Sequence, residues 1–153
     1  MLDVVEEENN EVFEFITFSA GGQGFCLEIT KIREIRRWTQ VTVLPHTPPE
    51  VLGVMNLRGA VIPIYDLSAW FGLGKTEIGD RSVIIVAAVA DNIFGLLVDG
   101  VSEILSARKS EIQETSSIQG DVARGSLIGM LTVGDNMVRV VRAEAISSAN
   151  AET

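Results

Sequence analysis

Apolar and polar residues alternate with a period of two along most of this chain, in short runs broken by glycine, asparagine or aspartate. Phe13 and Phe15 alternate with Glu14 and Ile16, and Phe25, Leu27 and Ile29 with Gly24, Cys26 and Glu28. Gly21-Gly22-Gln23-Gly24 lies between these runs, so they read as two strands of one hairpin. Thr30 is placed to cap a single helical turn, after which an extended stretch sets Ile32, Glu34 and Arg36 on one face and Arg33, Ile35 and Arg37 on the other. Pro48-Pro49 predicts the start of a short helix ending near Gly53.

The run Gly53-Val-Met-Asn-Leu-Arg-Gly-Ala-Val-Ile-Pro-Ile-Tyr-Asp-Leu67 is the most informative segment. Its apolar stretches 54–57 and 61–65 flank Arg58-Gly59, where glycine permits a tight reversal, and Asp66 is placed to cap a helix over 67–71. Arg58 is thereby fixed at a turn, either pinning the loop through backbone carbonyls or facing a partner. A polar loop is expected over 73–80, then a hairpin of 83–90 and 93–98 turning at Asp91-Asn92. Residues 101–105 read as extended, 110–113 as a helical turn and 115–125 as a turn-rich connection. Residues 127–133 and 137–142 pair across Gly134-Asp135-Asn136, and 143–148 form a last helix. Many short strands and few short helices define an all-β class of barrel or sandwich type.

Composition narrows the function. At 153 residues and 46% hydrophobic content, the chain suits one domain or two small subdomains on one core. The net charge of −9 disfavours nucleic-acid and anionic-membrane partners, which need clustered Lys and Arg. Cys26 is the single cysteine, so no internal disulfide forms, and this agrees with a reducing cytoplasm. The acidic start, Asp3 with Glu6-Glu7-Glu8, lacks the features of a signal peptide. The apolar run 83–90 is far short of the roughly 20 residues that cross a bilayer, so no membrane insertion is expected.

Catalytic and cofactor chemistry finds little support. His46 is the sole histidine and has no ligand-spaced neighbours, which disfavours a metal centre or a Ser-His-Asp triad. Gly21-Gly-Gln-Gly24 lacks the strand-to-helix context of a dinucleotide fingerprint, and no phosphate-loop motif occurs. Asp66, Asp91 and Asp99 sit where caps or turns account for them. No cofactor is expected, and an enzyme would require carboxylates brought together by tertiary structure alone.

The Arg58 run, Glu28-Ile-Thr-Lys-Ile-Arg-Glu-Ile-Arg36, Val43-Leu-Pro-His-Thr-Pro-Pro49, Ser82-Val-Ile-Ile-Val86 and Phe94-Gly-Leu-Leu-Val-Asp-Gly-Val-Ser-Glu-Ile104 together resemble the CheW family of chemotaxis coupling proteins. The likeness spans roughly residues 11–146 and weakens towards the C-terminus, where Met137-Val-Arg-Val-Val-Arg142 departs from the family pattern through Arg139 and Arg142. It implies two small SH3-like five-stranded β-barrel subdomains around a shared hydrophobic core. They are expected over 11–148, between a flexible acidic segment 1–10 and a tail 149–153.

The resemblance further implies a non-catalytic adaptor, cytoplasmic and located at receptor arrays, that joins chemoreceptor cytoplasmic tips to the regulatory domain of the histidine kinase CheA. Receptor contact would fall on Ile32, Glu34, Arg58, Val83, Gly95 and Ile104. Kinase contact would fall on Ile16, Ile29, Ile32 and Val101, with a second contact through Ile112 and Ile118 in a segment that lacks the family's prolines. Core packing is the competing account of Ile16, Ile32, Val83, Gly95 and Ile104. The alternatives to a flagellar coupler are a CheW-like coupler of another chemosensory pathway and a β-barrel enzyme.

Overall fold

The computed structural model describes residues 11–114 and 125–151. Among them ten strands are β1 (Val12–Ala20), β2 (Gln23–Glu28), β3 (Ile32–Arg37), β4 (Val51–Leu57), β5 (Ala60–Asp66), β6 (Val83–Val89), β7 (Asn92–Val98), β8 (Gly100–Arg108), β9 (Leu127–Val133) and β10 (Asn136–Val141). Two α-helices follow hairpins, α1 (Leu67–Trp70) and α2 (Ala143–Ala151), and single 3-10 turns lie at Ile29–Lys31 and Lys109–Glu111.

The strands form two five-stranded sheets, ordered β8-β1-β2-β10-β9 and β3-β6-β7-β5-β4. Hairpin β1–β2 lies in the first sheet while β3, which follows it, pairs with β6 in the second. Hairpin β6–β7 lies in the second sheet while β8, which follows it, pairs with β1 in the first. Each sheet therefore borrows an edge strand from the other's stretch of chain, and neither is complete alone.

Strand alternation gives each sheet two apolar faces. One face of the first sheet gathers Phe15, Cys26, Ala107, Leu131, Val138 and Val140. The matching face of the second gathers Val41, Met55, Leu57, Ile62, Ile64, Ile84 and Val86. The opposite faces meet in a shared core, where Phe18, Phe25 and Leu27 pack with Ile85, Phe94 and Leu96, and Leu67, Trp70 and Ile146 from the helices close it. Burying side chains of this size stabilises by about 1.5–3 kcal/mol each, so the shared core binds the subdomains into one unit. Trp70 Nε1 donates to Ser126 Oγ at 2.8 Å, which ties α1, after the last residue of β5 in the second sheet, to the turn residue just before β9 of the first.

Topology and register repeat between the sheets, a relation that the period-two pattern did not reveal. Both lead hairpins turn on two residues, Gly21-Gly22 and Ala90-Asp91, so Phe25-Cys26-Leu27 of β2 corresponds to Phe94-Gly95-Leu96 of β7. The same shift carries Ile32, Glu34 and Ile35 onto Val101, Glu103 and Ile104, with a register irregularity at the same place in both edge strands. The second hairpins correspond too. Gly53 and Gly129 lie where an added Cβ would meet the carbonyl oxygens of Thr42 and Gln113 at 2.2 and 2.4 Å. Glycine is required at both because Thr42 and Gln113 bridge the next residues, Val54 and Met130.

Several expected boundaries move. Pro48-Pro49 starts no helix, because Glu50 O accepts from Asp66 N at 2.9 Å and β4 begins at Val51, paired with β5. The second lead hairpin turns at Ala90-Asp91, one residue earlier than expected, with Ala90 at φ 55°. The 3-10 turn after β8 begins at Lys109, β8 runs on to Arg108, and α2 extends to Ala151. Thr30 lies inside its 3-10 turn, whose N-cap position is held by Glu28 with no side-chain hydrogen bond. The 1–10 segment and the 115–124 stretch lie outside the described residues.

Candidate partner-binding site

The Arg58 turn takes the expected form. Arg58 and Gly59 have φ of 50° and 88°, the left-handed pair that a two-residue type I′ turn requires, and Asn56 Oδ1 accepts from Gly59 N at 3.1 Å. Below the hairpin Asp66 is buried, and its Oδ1 accepts from Ala69 N at 3.3 Å as the helix cap. The same carboxylate holds the following loop, since Thr76 N and Oγ1 donate to it at 2.8 and 2.6 Å.

Arg58 does not pin its own loop through backbone carbonyls. Its Nη2 reaches the edge strand β3 and donates to Glu34 Oε2 at 2.7 Å, while Arg36 Nη1 donates to Glu34 Oε1 at 3.0 Å. Glu34 is 25% exposed between these two guanidinium groups. The Arg58 hydrogen bond first and the Arg36 bond second hold its carboxyl below the ordinary glutamate value of 4.5. Arg36 Nε is buried and has no acceptor among the described residues.

Around this clamp the expected site residues divide. Ile32 is half-buried against the shared core, and Val83 begins β6 opposite Arg37, also half-buried. Ile104 is 59% exposed on β8, directly opposite Ile16 on β1. Gly95 is buried in β7, where an added Cβ would lie 2.6 Å from Ile64 Cδ1 and 2.8 Å from Ile84 Cγ2, so it serves close packing and presents no contact surface. Of the expected kinase-facing residues, Ile29, Val101 and Ile112 are half-buried. Ile16 is 8% exposed between Leu27 and Ile104, so the chain itself covers it. Ile16 and Ile104, expected to serve different partners, are cross-strand neighbours. Ile118 lies outside the described residues.

Sequence reasoning missed the role of Arg36 as second holder of Glu34. The signal lies in the spacing, since residues two apart on a regular strand share a face and Glu34 and Arg36 are such a pair.

Other chemistry is sparse. Burial pushes the Cys26 thiol up to about 12, which makes it a packing residue. No group of three or more His, Cys, Asp or Glu among the described residues is placed to hold a metal ion, and no described helix is long and apolar enough to cross a membrane.

The fold and its polar features thus define a two-sheet β protein whose assembled charge sits at a strand edge and a hairpin turn. The chain belongs to the CheW-like domain family, whose pattern matches residues 14–151. It is 43% identical over 146 residues to the chemotaxis protein CheW of Rhizobium meliloti, covering 95% of this chain and 94% of that one. It is 33% identical over 135 residues to that of Klebsiella aerogenes, covering 88% and 81%. Among solved structures, the scaffolding protein TtCheW from Thermoanaerobacter tengcongensis aligns with a TM-score of 0.78 at 28% identity, over 86% of this chain and 85% of that one.

Proposed function

We propose that this chain is a non-catalytic coupling protein that links chemoreceptor cytoplasmic tips to the histidine kinase CheA, working in the cytoplasm at membrane-associated arrays. The observation that carries the reading is the Glu34 clamp. A carboxylate held by Arg36 and Arg58 is a preorganised polar contact at the edge of β3, across the strand from half-buried Ile32, which the register irregularity turns to the shared-core face, and this suits orienting a partner helix. Membership of the CheW-like family supports it.

In this reading Ile32, Glu34, Arg58, Val83 and exposed Ile104 face the receptor helix, with Gly95 supporting them from within β7. Kinase contact uses Ile29, Ile32, Val101 and Ile112, together with Ile118. Ile16 backs this surface from the buried side of β1.

The test is reconstitution of receptor-containing membranes, kinase and this protein. Receptor control of kinase activity is expected to require the chain, and the chain alone to hydrolyse no nucleotide. Glu34→Lys should weaken binding of a labelled receptor-tip fragment by about tenfold or more while leaving kinase affinity nearly unchanged. Receptor control that persists without the protein would sink the reading.

A further inference from the structure

The chain carries a net charge of −9, yet its positive charge is unevenly placed. Between Ile29 and Pro49 the sole carboxylate is Glu34, against Lys31, Arg33, Arg36 and Arg37. Arg58 is added to this group by the turn of the neighbouring hairpin, which brings its guanidinium onto Glu34. The one negative charge is claimed twice, by Arg36 and Arg58, so Arg33 and Arg37 are left with no ion-pair partner among the described residues. Both are exposed on β3, an edge strand of the second sheet. Between them Ile35 is 40% exposed. The corresponding stretch of the first sheet, Val101-Ser-Glu-Ile-Leu-Ser106, carries no positive charge, with Ser102 and Ser106 at the places of Arg33 and Arg37, so the fold does not demand the arginines.

Resting on the coupling reading above, we propose that the β3 edge is a cationic docking strip for an acidic amphipathic helix of the receptor tip, with Arg33 and Arg37 as specificity-determining residues flanking the apolar contact at Ile35. Arg33 is the extra residue of the register irregularity between Ile32 and Glu34, and strand rise over the four positions to Arg37 separates the two by at most about 13 Å. A helix lying along the strand returns to the same face after seven or eleven residues, about 10 and 16 Å, so the fitting partner presents carboxylates at one of these spacings with an apolar residue on that face between them. Against an acidic helix the excess positive charge speeds encounter and rejects helices flanked by lysine or arginine. An anionic membrane offers charge without the central apolar contact, and the chain's overall negative charge repels it.

The test is titration of a labelled helical-hairpin fragment of a chemoreceptor tip with the full chain. Arg33→Gln/Arg37→Gln should weaken binding by about tenfold at about 0.05 M salt, and the two curves should converge at about 0.5 M, where the Debye length shrinks to a few ångströms. Arg33→Glu/Arg37→Glu should weaken it further, and Arg108→Gln, on the other sheet, should match wild type. Circular dichroism and affinity for a kinase regulatory-domain fragment should stay unchanged in every variant. Wild-type affinity in the double glutamine variant overturns the strip while leaving the coupling reading intact. Failure of the wild-type chain to bind any tip fragment overturns that reading and the strip together. Arginine-dependent capture by anionic phospholipid vesicles, with fragment binding insensitive to both arginines, assigns the charge to a membrane and overturns the helix.

Discussion

The first and second sheets share strand order, hairpin turns and a register irregularity in the edge strand, yet they carry different polar chemistry. Phe25 and Leu27 match Phe94 and Leu96 in the shared core, and Gly53 matches Gly129 beneath a crossing backbone. Those positions are set by packing, which both sheets must satisfy alike. Where packing leaves freedom the sheets part. Glu34 is held by two arginines, whereas its counterpart Glu103 makes no ion pair among the described residues, and the corresponding turn of the first sheet carries Gly134-Asp135 in place of Arg58-Gly59. The repeated architecture is a scaffold, and function is written on it by a few polar substitutions at an edge and a turn.

The sharpest way to break this comparison is at the paired glycines. Gly53→Ala and Gly129→Ala should each destabilise by about 3 kcal/mol or more, since the new Cβ collides with a backbone carbonyl and the reciprocal bridge beside it, Thr42 with Val54 or Gln113 with Met130, must open. Urea unfolding followed by circular dichroism and tryptophan fluorescence should show one coincident transition for both variants. Separate transitions would mean that the sheets fold independently despite exchanging strands.

Cys26 and Gly95 occupy equivalent sites, and the first offers a probe of opening. With its thiol buried and pushed up to about 12, alkylation in native buffer should be slower than in urea by about a hundredfold or more. Fast native labelling would show that the first sheet opens locally. At the equivalent site, Gly95→Ala should cost about 1–3 kcal/mol, because Ile64 and Ile84 must shift to admit a methyl group. Unchanged thermal stability would show that the second core is looser than its contacts indicate.

The smallest effect concerns acid. Glu34 remains a carboxylate in the folded chain at pH values where the unfolded chain takes up a proton, so its stabilisation is full above the ordinary value of 4.5 and fades as pH falls through the lower folded value. Glu34→Gln should therefore lower the urea midpoint near pH 7 and converge with wild type in strong acid, whereas Glu103→Gln should lower it less. A Glu34→Gln deficit that does not diminish in acid would show that the arginines hold shape without holding charge.

Much of this was legible in the chain. Short-range rules act within a few residues, so period-two alternation located most of the strands, Arg58-Gly59 announced a two-residue turn and Asp66 a helix cap, all of which the structure contains. The misplaced helix at Pro48-Pro49 shows their limit, because pairing of Val51 with Tyr65 overrode local preference. The repeat was also present, with Phe25-x-Leu27 and Ile32-x-Glu34-Ile35 answering Phe94-x-Leu96 and Val101-x-Glu103-Ile104. It was missed because alternation is scored within a strand, and the repeat appears only when distant strands are set side by side.

The amino-acid sequence by itself determined the element types, the turns and the CheW-like family, because backbone sterics, hydrophobic period and motif order are properties of neighbouring residues. Tertiary structure alone decided that β3 and β8 trade sheets, that Ile16 is covered while Ile104 is open, and that Arg58 closes on Glu34. Which sheet receives an edge strand depends on the apolar face the other sheet offers it. Which carboxylate an arginine meets depends on strand order, and both are settled only when the chain closes around its shared core.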